Sequence, residues 1–422
     1  MNSLTRCLFC AAAVWGAAVV SAADQPLPTL EEALAARTDV WGDAAQRQPD
    51  GPSYAFFASL LPPLRYVNAA FRHYPIVLSA PGAAVKPRLV SNGSAVNARA
   101  GAGTWREVGF PVTFYVGSHA ALFGEELSRL EGPFYAKGYL PVVSLSYRAG
   151  GTYQQEVFAP VNPELSTCGA VWVRFASAAP GWVTARLGVE GAAEGNTLLG
   201  EKRETLAWWS NGWRWNAARR ELTAAVSKNR PAFLAIYSVP REGHPPGPLT
   251  ARAYDVEKRR CMETWEALLG QGARVEVPEP VVNNAWRSLV VGTWILTKGD
   301  RLCYSAGNAY ERQYEAECGD AVRALLLWGQ EARHLIAPLL DYVQPGLESH
   351  DAGFKLQLLA HAYWLTRDAA LVRNQRARWE KAVAHIVEKR EPATGLLPPE
   401  RYCGDIPTRV YSLNSNANAW RG

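Results

Sequence analysis

Cysteine is scarce in this chain, and its spacing argues against a zinc site or a disulfide scaffold. Seven cysteines occur in 422 residues; Cys7 and Cys10 lie near the N-terminus, and the other five form no C-x-x-C pair. The seven histidines show no H-x-x-x-H spacing. We therefore predict no structural zinc, no metalloenzyme centre and no metal ligands.

Other common signatures are missing as well. No glycine-rich phosphate loop and no G-x-S-x-G elbow precedes a predicted helix, and we predict an activity without a cofactor. The formal net charge is +5, from 44 Lys and Arg against 39 Asp and Glu, and the basic residues form no block. A nucleic acid partner is not predicted, because no basic cluster is available to follow a phosphate backbone.

Residues 1–23 have the pattern of a secretory signal peptide. Arg6 precedes an apolar run from Leu8 to Val20, and small residues around Ala22 offer a cleavage site. The run is too short to span a bilayer comfortably. We predict a secreted or periplasmic protein with no membrane contact after cleavage; an uncleaved anchor or a buried helix is the alternative.

Aromatic residues are abundant, with 16 Trp, 17 Tyr and 12 Phe. Rings in this number suit either stacking against sugars or the core of a large β-sandwich. The pairs Trp208-Trp209 and Trp213-Arg214-Trp215 flank an Asn211-Gly212 turn. This pattern favours a β-hairpin with cross-strand aromatic pairs; the alternative is a sugar platform at a sheet edge.

Up to about residue 270, short apolar runs alternate with turn pairs such as Asn92-Gly93 and Pro180-Gly181. Many short strands separated by turns favour an antiparallel β-sandwich over residues 24–270. The runs are Tyr74–Leu78, Val108–Val116, Leu140–Tyr147, Tyr153–Phe158, Ala170–Ala176, Trp182–Val189 and Ala232–Val239.

Residues 271–422 form a second predicted domain, in which apolar residues recur every three to four positions. This period predicts about five helices, and their short connectors predict antiparallel α-hairpins. Pro338 lies inside one stretch and predicts a kink or a late start there. The helical stretches are Val281–Leu296, Ala321–Trp328, Ala332–Val343, Phe354–Leu365 and a fifth around Trp379–Val387.

Two segments of the helical half resemble one known family. The first is YERQYEAECGD from Tyr310 to Asp320, and the second is GLLPPERYCGD from Gly395 to Asp405, followed by YSLNSNANAWR from Tyr411. Both are similar to segments of six-hairpin glycosidases of the debranching-enzyme, trehalase and rhamnosidase kind. The resemblance covers residues 275–422 and implies an N-terminal antiparallel supersandwich followed by an (α/α)6 toroid, with the active site in the mouth of the toroid.

A complete toroid has twelve helices, and the sequence predicts about five, so a partial (α/α)6 barrel is expected. At Gly422, where the sequence ends, a further helix would be expected to begin. Either the sequence is a fragment or the architecture is smaller. By the same resemblance, the general base lies beyond residue 422.

The resemblance implies that segment 310–320 lines the innermost sugar subsite. Its candidates for substrate binding are Glu311, Tyr314, Glu315 and Glu317. If the segment is helical, Glu311 and Glu315 share a face. The alternative is that these acids are solvated residues favoured at the start of a helix.

By the same resemblance, the second segment supplies a general acid at the rim. Asp405 follows Gly404, which permits a tight turn that aims the carboxyl inward. We predict Asp405 as the catalytic acid, with Glu400 as the second candidate, and Arg401 and Asn416 as binding residues. The alternatives are that Asp405 bonds its own backbone in a turn and that the asparagines form a helix-cap loop.

Glycoside hydrolysis requires two carboxyls, one protonated to serve the leaving oxygen and one to activate water. Together with the signal-peptide pattern, the resemblance implies an exported, cofactor-free glycoside hydrolase that acts on oligo- or polysaccharides with inversion. One alternative is a non-catalytic carbohydrate-binding protein with a degenerate toroid. The other is a glycoside phosphorylase, which would require a basic phosphate pocket that the sequence does not locate.

Overall fold

The structure is a computed structural model that describes residues 27–60, 75–98 and 108–422. The predicted signal peptide, residues 1–23, lies outside the described residues. The chain forms two compact units, Met1–Arg65 and Tyr66–Gly422. In the first unit the described residues form the helices α1 (Leu30–Ala35), α2 (Val40–Gln46) and α3 (Tyr54–Leu60). Thr29 and Glu32 form a capping box at the start of α1.

The second unit begins with two antiparallel sheets, each with eight strands in the described residues. The outer sheet has the order β1-β2-β3-β4-β10-β15-β14, with β5 beside β4, and the central sheet has the order β11-β12-β13-β16-β9-β8-β7-β6. The strands are β1 (Pro75–Val77), β2 (Arg88–Val90), β3 (Ala95–Val96), β4 (Val112–Val116), β5 (Ala121–Leu122), β6 (Leu130–Ala136), β7 (Leu140–Arg148), β8 (Thr152–Phe158), β9 (Ala170–Ser177), β10 (Gly181–Leu187), β11 (Ala192–Glu194), β12 (Thr197–Leu199), β13 (Thr205–Trp209), β14 (Trp213–Asn216), β15 (Glu221–Val226) and β16 (Ala232–Arg241).

The two sheets pack face to face around one hydrophobic core. Phe114 on β4 and Phe175 on β9 meet there with ring centroids 5.1 Å apart. Along β16, Leu234 and Ile236 enter this core, whereas Phe233 and Tyr237 point to the opposite face and pack with the helices. A strand buried on both faces needs apolar residues at every position, which explains its continuous apolar run. The predicted antiparallel sandwich is confirmed.

Helices cover the free face of the central sheet and form the rest of the unit. This confirms the order of sandwich followed by helices. The helices are α4 (Pro163–Ser166), which lies within the sandwich, α5 (Ala251–Gly270), α6 (Pro280–Ile295), α7 (Glu315–Leu327), α8 (Ile336–Asp341), α9 (Glu348–Thr366), α10 (Ala369–Asn374), α11 (Arg376–Lys389) and α12 (Leu413–Arg421). Two-stranded hairpins join β17 (Thr297–Lys298) to β18 (Arg301–Leu302) and β19 (Glu400–Arg401) to β20 (Arg409–Val410). No helix in the described ranges is both long and apolar enough to cross a membrane.

Two elements differ from the sequence prediction. Helix α5 lies in a stretch where only strands were predicted, and the domain boundary at residue 270 stays a prediction. The expected tryptophan hairpin is wrong, because β13 belongs to the central sheet and β14 to the outer sheet. The turn between Trp209 and Trp215 carries the chain from one sheet to the other. The two indole rings stack with centroids 6.4 Å apart and pack in the core between the sheets.

Candidate active site

Helices α7 and α9 lie side by side with their N-terminal ends together. Glu315, the first residue of α7, meets Asp351 in the first turn of α9. One turn further along, a methyl group added to Gly319 would lie 2.4 Å from the ring of Phe354. Glycine at position 319 therefore permits the close approach of the two helices, which brings the two carboxyl groups into contact.

The Glu315–Asp351 pair is buried, with exposed fractions of 2% and 3%. Burial raises the pKa of Glu315 well above its ordinary value; the hydrogen bond with Asp351 and the charge of that residue raise it further, whereas Lys355 opposes the shift. Among the described residues no donor reaches either Glu315 oxygen. The raised pKa of Glu315 favours its protonated form, which would supply a donor beside Asp351.

Asp351 is also bonded to the loop that enters α9. One of its oxygens accepts a hydrogen bond from the backbone N–H of Gln344 at 2.6 Å, and the other lies 3.5 Å from Nδ1 of His350. This loop, residues 342–347, joins α8 to α9. The Asp351 carboxylate is thus held by backbone of this loop as well as by its contact with α7.

A cavity of about 460 Å³ opens beside Asp351, between α8, α9 and α11. Asp341 lines it but is occupied by a two-pronged ion pair with Arg378, at 2.6 and 2.8 Å. The remaining charged or titratable side chains of the lining are Glu348, Asp351, Lys355, Lys381 and His385. The rest of the lining is apolar, so the cavity combines apolar surface with a few charged groups, as ligand sites in proteins commonly do. The apolar lining residues are Leu340, Val343, Ala352, Ala377 and Ala382.

Segment 310–314 is a loop, and the predicted helical face shared by Glu311 and Glu315 is therefore wrong. Helix α7 begins at Glu315, and its N-cap residue, Tyr314, has an extended backbone. The hydroxyl of Tyr314 accepts a hydrogen bond from Nε of Arg312 at 2.7 Å. The ring of Tyr304 packs edge-on against Tyr314 and Tyr310, at 5.4 and 6.2 Å. These three tyrosines are partly exposed and form an aromatic patch beside the start of α7.

Glu311 and Glu317 have surroundings different from those of the Glu315–Asp351 pair. Glu311 accepts a hydrogen bond from the backbone N–H of Gly307 at 2.7 Å and lies 3.7 Å from Nζ of Lys298. Glu311 thus holds its own loop against the β17–β18 hairpin. Glu317 is exposed to solvent on α7.

Glu400 anchors the β19–β20 hairpin to the start of α9. Its two carboxylate oxygens accept hydrogen bonds from the backbone N–H groups of Ser349, at 2.5 Å, and His350, at 3.2 Å. These groups have no partner within the helix, and a carboxylate there also suits the helix dipole. Glu400 therefore has a positioning contact in this structure, on the helix that carries Asp351.

Arg401 and Asp405 follow on the same hairpin. The backbone N–H of Arg401 donates to the carbonyl of Gly346 at 2.9 Å, and its guanidinium donates to the carbonyl of Gly404 at 2.7 Å. Asp405 is exposed at the bend that follows. Gly404 packs against Gln344, where an added methyl group would lie 2.6 Å from the side-chain nitrogen. The hairpin thus lies against the loop that binds Asp351.

The side-chain amide of Asn416 forms hydrogen bonds with backbone groups through both its oxygen and its nitrogen. Its oxygen accepts from the N–H of Leu397 and its nitrogen donates to the carbonyl of Ser412, both at 2.9 Å. Asn416 lies within α12, which Ser412 caps through the N–H of Ser415. In this arrangement Asn416 ties segment 395–397 to the helix.

Of the predicted site residues, the structure brings Glu315 and Glu400 to the same end of α9, with Tyr314 and Arg401 on adjoining loops. Sequence reasoning missed Asp351, Lys355 and His385. A signal for two of them was available: Asp351 and Lys355 occupy the same face of α9 as Leu358 and Ala362, at spacings of four, three and four. Charged residues on an otherwise apolar face mark a buried polar site. Within the described ranges, no three His, Cys, Asp or Glu side chains are grouped to hold a metal ion.

Comparison with known proteins yields structural likenesses alone. Neither a protein-family model nor a curated protein sequence matches the chain. A bacterial glucoamylase in complex with acarbose is similar over 77% of this chain and 68% of its own, with 10% identity and a TM-score of 0.34. A protein assigned as a kojibiose phosphorylase, from the human microbiome, is similar over 62% of this chain and 45% of its own, with 8% identity and a TM-score of 0.34. At this identity and TM-score, neither likeness shows the function of this chain.

Proposed function

We propose that this protein is an exported glycoside hydrolase that cleaves oligo- or polysaccharides at the cavity beside Asp351, and that its helices form part of an (α/α)6 toroid. The buried Glu315–Asp351 pair is the observation that carries the proposal. Cleavage of a glycosidic bond requires a carboxyl that keeps its proton at neutral pH and gives it to the leaving oxygen. Burial of Glu315 against Asp351 provides that condition.

The pair acts as one proton-sharing unit in this proposal. Its members are hydrogen-bonded to each other, whereas the two carboxyls of an inverting glycosidase stand roughly 6.5–9.5 Å apart. Asp351 lines the cavity and Glu315 lies behind it. The one shared proton passes from Glu315 through Asp351 to the glycosidic oxygen, and solvent in the cavity returns a proton to the pair after cleavage. A separate carboxylate activates the water, and we assign no residue to that role.

Asp405 remains the acid proposed from the sequence. It is exposed on the hairpin, whereas Glu315 and Asp351 are buried. Its neighbour Gly404 packs on Gln344, whose N–H binds Asp351. Both proposals therefore concern one end of α9, and parallel substitutions separate them.

The aromatic patch of Tyr304, Tyr310 and Tyr314 supports a sugar substrate. Partly exposed rings held edge to face present apolar surface and hydroxyl groups together, which suits the alternating C–H and O–H groups of a sugar ring. Arg312, bonded to Tyr314, adds hydrogen-bond donors at the same place. We propose that this patch guides the chain of the substrate toward the cavity.

A glycoside phosphorylase is the second candidate, and the cavity lining favours it in one respect. Lys355, Lys381 and His385 line the same cavity and offer donors for a phosphate group that would replace water as the attacking group. In that case cleavage requires inorganic phosphate and yields a sugar phosphate.

The test is an assay of the purified protein on a panel of aryl glycosides and glycans, with and without inorganic phosphate. We expect hydrolysis without phosphate, inversion seen by proton NMR, and loss of turnover in Glu315→Gln and Asp351→Asn. Glu388→Gln, an exposed acid on α11 outside the cavity lining, is the matched control and is expected to remain active. Turnover only with phosphate supports the phosphorylase, whereas saccharide binding without turnover contradicts both enzymes and supports a binding protein.

A further inference from the structure

One cation in the cavity beside Asp351 has no bonded partner among the described residues. Lys355 lies one turn after Asp351 on α9 and lines this cavity. The exposed fraction of the residue is 8%, and its Nζ makes neither a hydrogen bond nor an ion pair with any described residue. Unlike the unpartnered oxygens of Glu315, this Nζ keeps solvent-accessible surface. The ammonium group of a largely buried side chain is therefore accessible from the cavity.

The carboxyl groups around Lys355 do not take the place of a bonded partner. The charge of Lys355 acts on Glu315 and Asp341, so the ammonium group lies near both. Asp341, however, forms its two-pronged ion pair with Arg378, and Asp351 accepts from the loop before α9. Charged groups that are buried in proteins are normally paired with an opposite charge. A ligand with an anionic group can supply the contact that Lys355 lacks.

The charges of the cavity lining indicate which kind of anion fits. Apart from the ion pair of Asp341, the lining carries two lysines and two acids, namely Lys355, Lys381, Glu348 and Asp351. A dianion such as phosphate requires an excess of positive charge around it, and these four side chains together have none. A single carboxylate requires one cation within hydrogen-bond distance, which Lys355 provides. The apolar side chains of the lining offer surface to the C–H groups of a sugar ring.

We infer that the substrate is an acidic saccharide and that Lys355 binds the carboxylate of one of its uronic-acid units. This inference rests on the proposed function, since it names the substrate class of the same cavity. Lys355 determines specificity and takes no part in proton transfer. The hydroxyl group of a neutral sugar can also accept from the ammonium group but brings no charge, so a uronic acid is preferred over the neutral sugar of the same shape.

The test is isothermal titration calorimetry of the intact protein with methyl thioglycosides, in which sulfur replaces the glycosidic oxygen and slows cleavage. The α and β forms of glucuronic and galacturonic acid are compared with those of glucose and galactose. We expect at least one uronide to bind about tenfold or more tightly than its neutral counterpart, the scale of a buried charge pair. Lys355→Met keeps the length of the side chain and removes the charge. It is expected to abolish this preference and to change the affinity for the neutral sugar by less than about twofold.

Lys389→Met is the matched control, because Lys389 is exposed in the last turn of α11 and lies outside the cavity lining. Its affinity for the uronide is expected to equal that of the parent. Thermal unfolding shows whether the variants fold, and Lys355→Gln replaces Lys355→Met if the latter does not. A less stable Lys355→Met that keeps the preference for the uronide would show a purely structural lysine and overturn the inference.

Three further results would overturn the inference: equal affinity of the parent for uronides and neutral sugars, equal uronide binding by Lys355→Met and Lys389→Met, or binding of inorganic phosphate through Lys355 without binding of any uronide. Aryl glycosides separate this inference from the proposed function. Hydrolysis of neutral glycosides without preference for uronides contradicts the inference alone. Uronide binding that depends on Lys355, without hydrolysis of any glycoside, supports the carboxylate site and contradicts the hydrolase.

Discussion

Glu315 and Asp351 meet, both buried, at the contact between α7 and α9. Burial and the neighbouring carboxyl raise the pKa of Glu315 far enough that it stays protonated at neutral pH. Two ionised carboxyls could not lie together in this buried position, since each would be desolvated and would repel the other. The contact between the two helices therefore depends on that proton.

The first prediction concerns stability as a function of pH. The raised pKa of Glu315 means that the folded protein keeps a proton that the unfolded chain releases above about pH 4.5. This contribution to stability is fully present below that pH and declines as the pH rises toward the folded-state pKa, by at most about 1.4 kcal/mol per pH unit. Glu315→Gln carries no titrating proton, so it is expected to gain stability over the parent as the pH rises.

Urea unfolding of the parent and Glu315→Gln at pH 5.5, 6.5 and 7.5 measures this difference. Glu317→Gln is the control, because Glu317 is exposed on the same helix. The free energy of unfolding of this variant should differ from that of the parent by the same amount at every pH. If the free energies of unfolding of Glu315→Gln and of the parent differ by the same amount at all three pH values, Glu315 does not hold a proton.

The second prediction concerns the anchor of the hairpin. Glu400 accepts from two N–H groups at the start of α9, and glutamine keeps only one oxygen and no charge. We expect Glu400→Gln to lower the free energy of unfolding by about 1–2 kcal/mol, the usual scale for a helix cap with charge. Thermal or urea unfolding tests this, with Asp405→Asn on the same hairpin expected to be neutral. Equal stability of the two variants would refute the anchoring role.

The third prediction separates structure from substrate binding at Asn416. Both groups of its amide bond backbone atoms, so Asn416→Ala should lower stability by about 1 kcal/mol. Asn414→Ala, on the exposed side of α12, should lower it less. A rise in KM with unchanged stability would instead show that Asn416 binds substrate, as the sequence predicts.

The sandwich was predictable because each strand obeys a local rule, and β16 even shows its burial on both faces as a continuous apolar run. Helices α6 and α9 were predictable because their apolar residues recur every three to four positions. In α9 this pattern marks only the later part of the helix, since the first turns carry polar residues. Helix α5 was not predicted, because only a narrow row of its residues, Tyr254, Cys261 and Trp265, packs in the core beneath the sheet. Eight of the other seventeen residues are charged.

The candidate site was predictable only in part, because its chemistry comes from contacts between segments distant in sequence. Glu315 was found from its acidic segment, but its partner Asp351 lies on another helix and resembles no motif. Glu400 stood out as an acid in a proline-flanked loop, and nothing local indicates that its oxygens meet the start of α9. The turn at Asn211-Gly212 was wrongly predicted to close a hairpin, because a hairpin and a crossover between sheets have the same local sequence pattern.

The most direct test of the central claim compares kcat for Asp351→Asn and Asp405→Asn on the best substrate of the panel, with urea unfolding to confirm that both variants fold. If the buried pair is the proton donor, Asp351→Asn lowers kcat at least a hundredfold, the usual scale for removal of a general acid, and Asp405→Asn lowers it by less than about tenfold. The reverse order would assign the acid to the exposed hairpin and contradict the role of the pair.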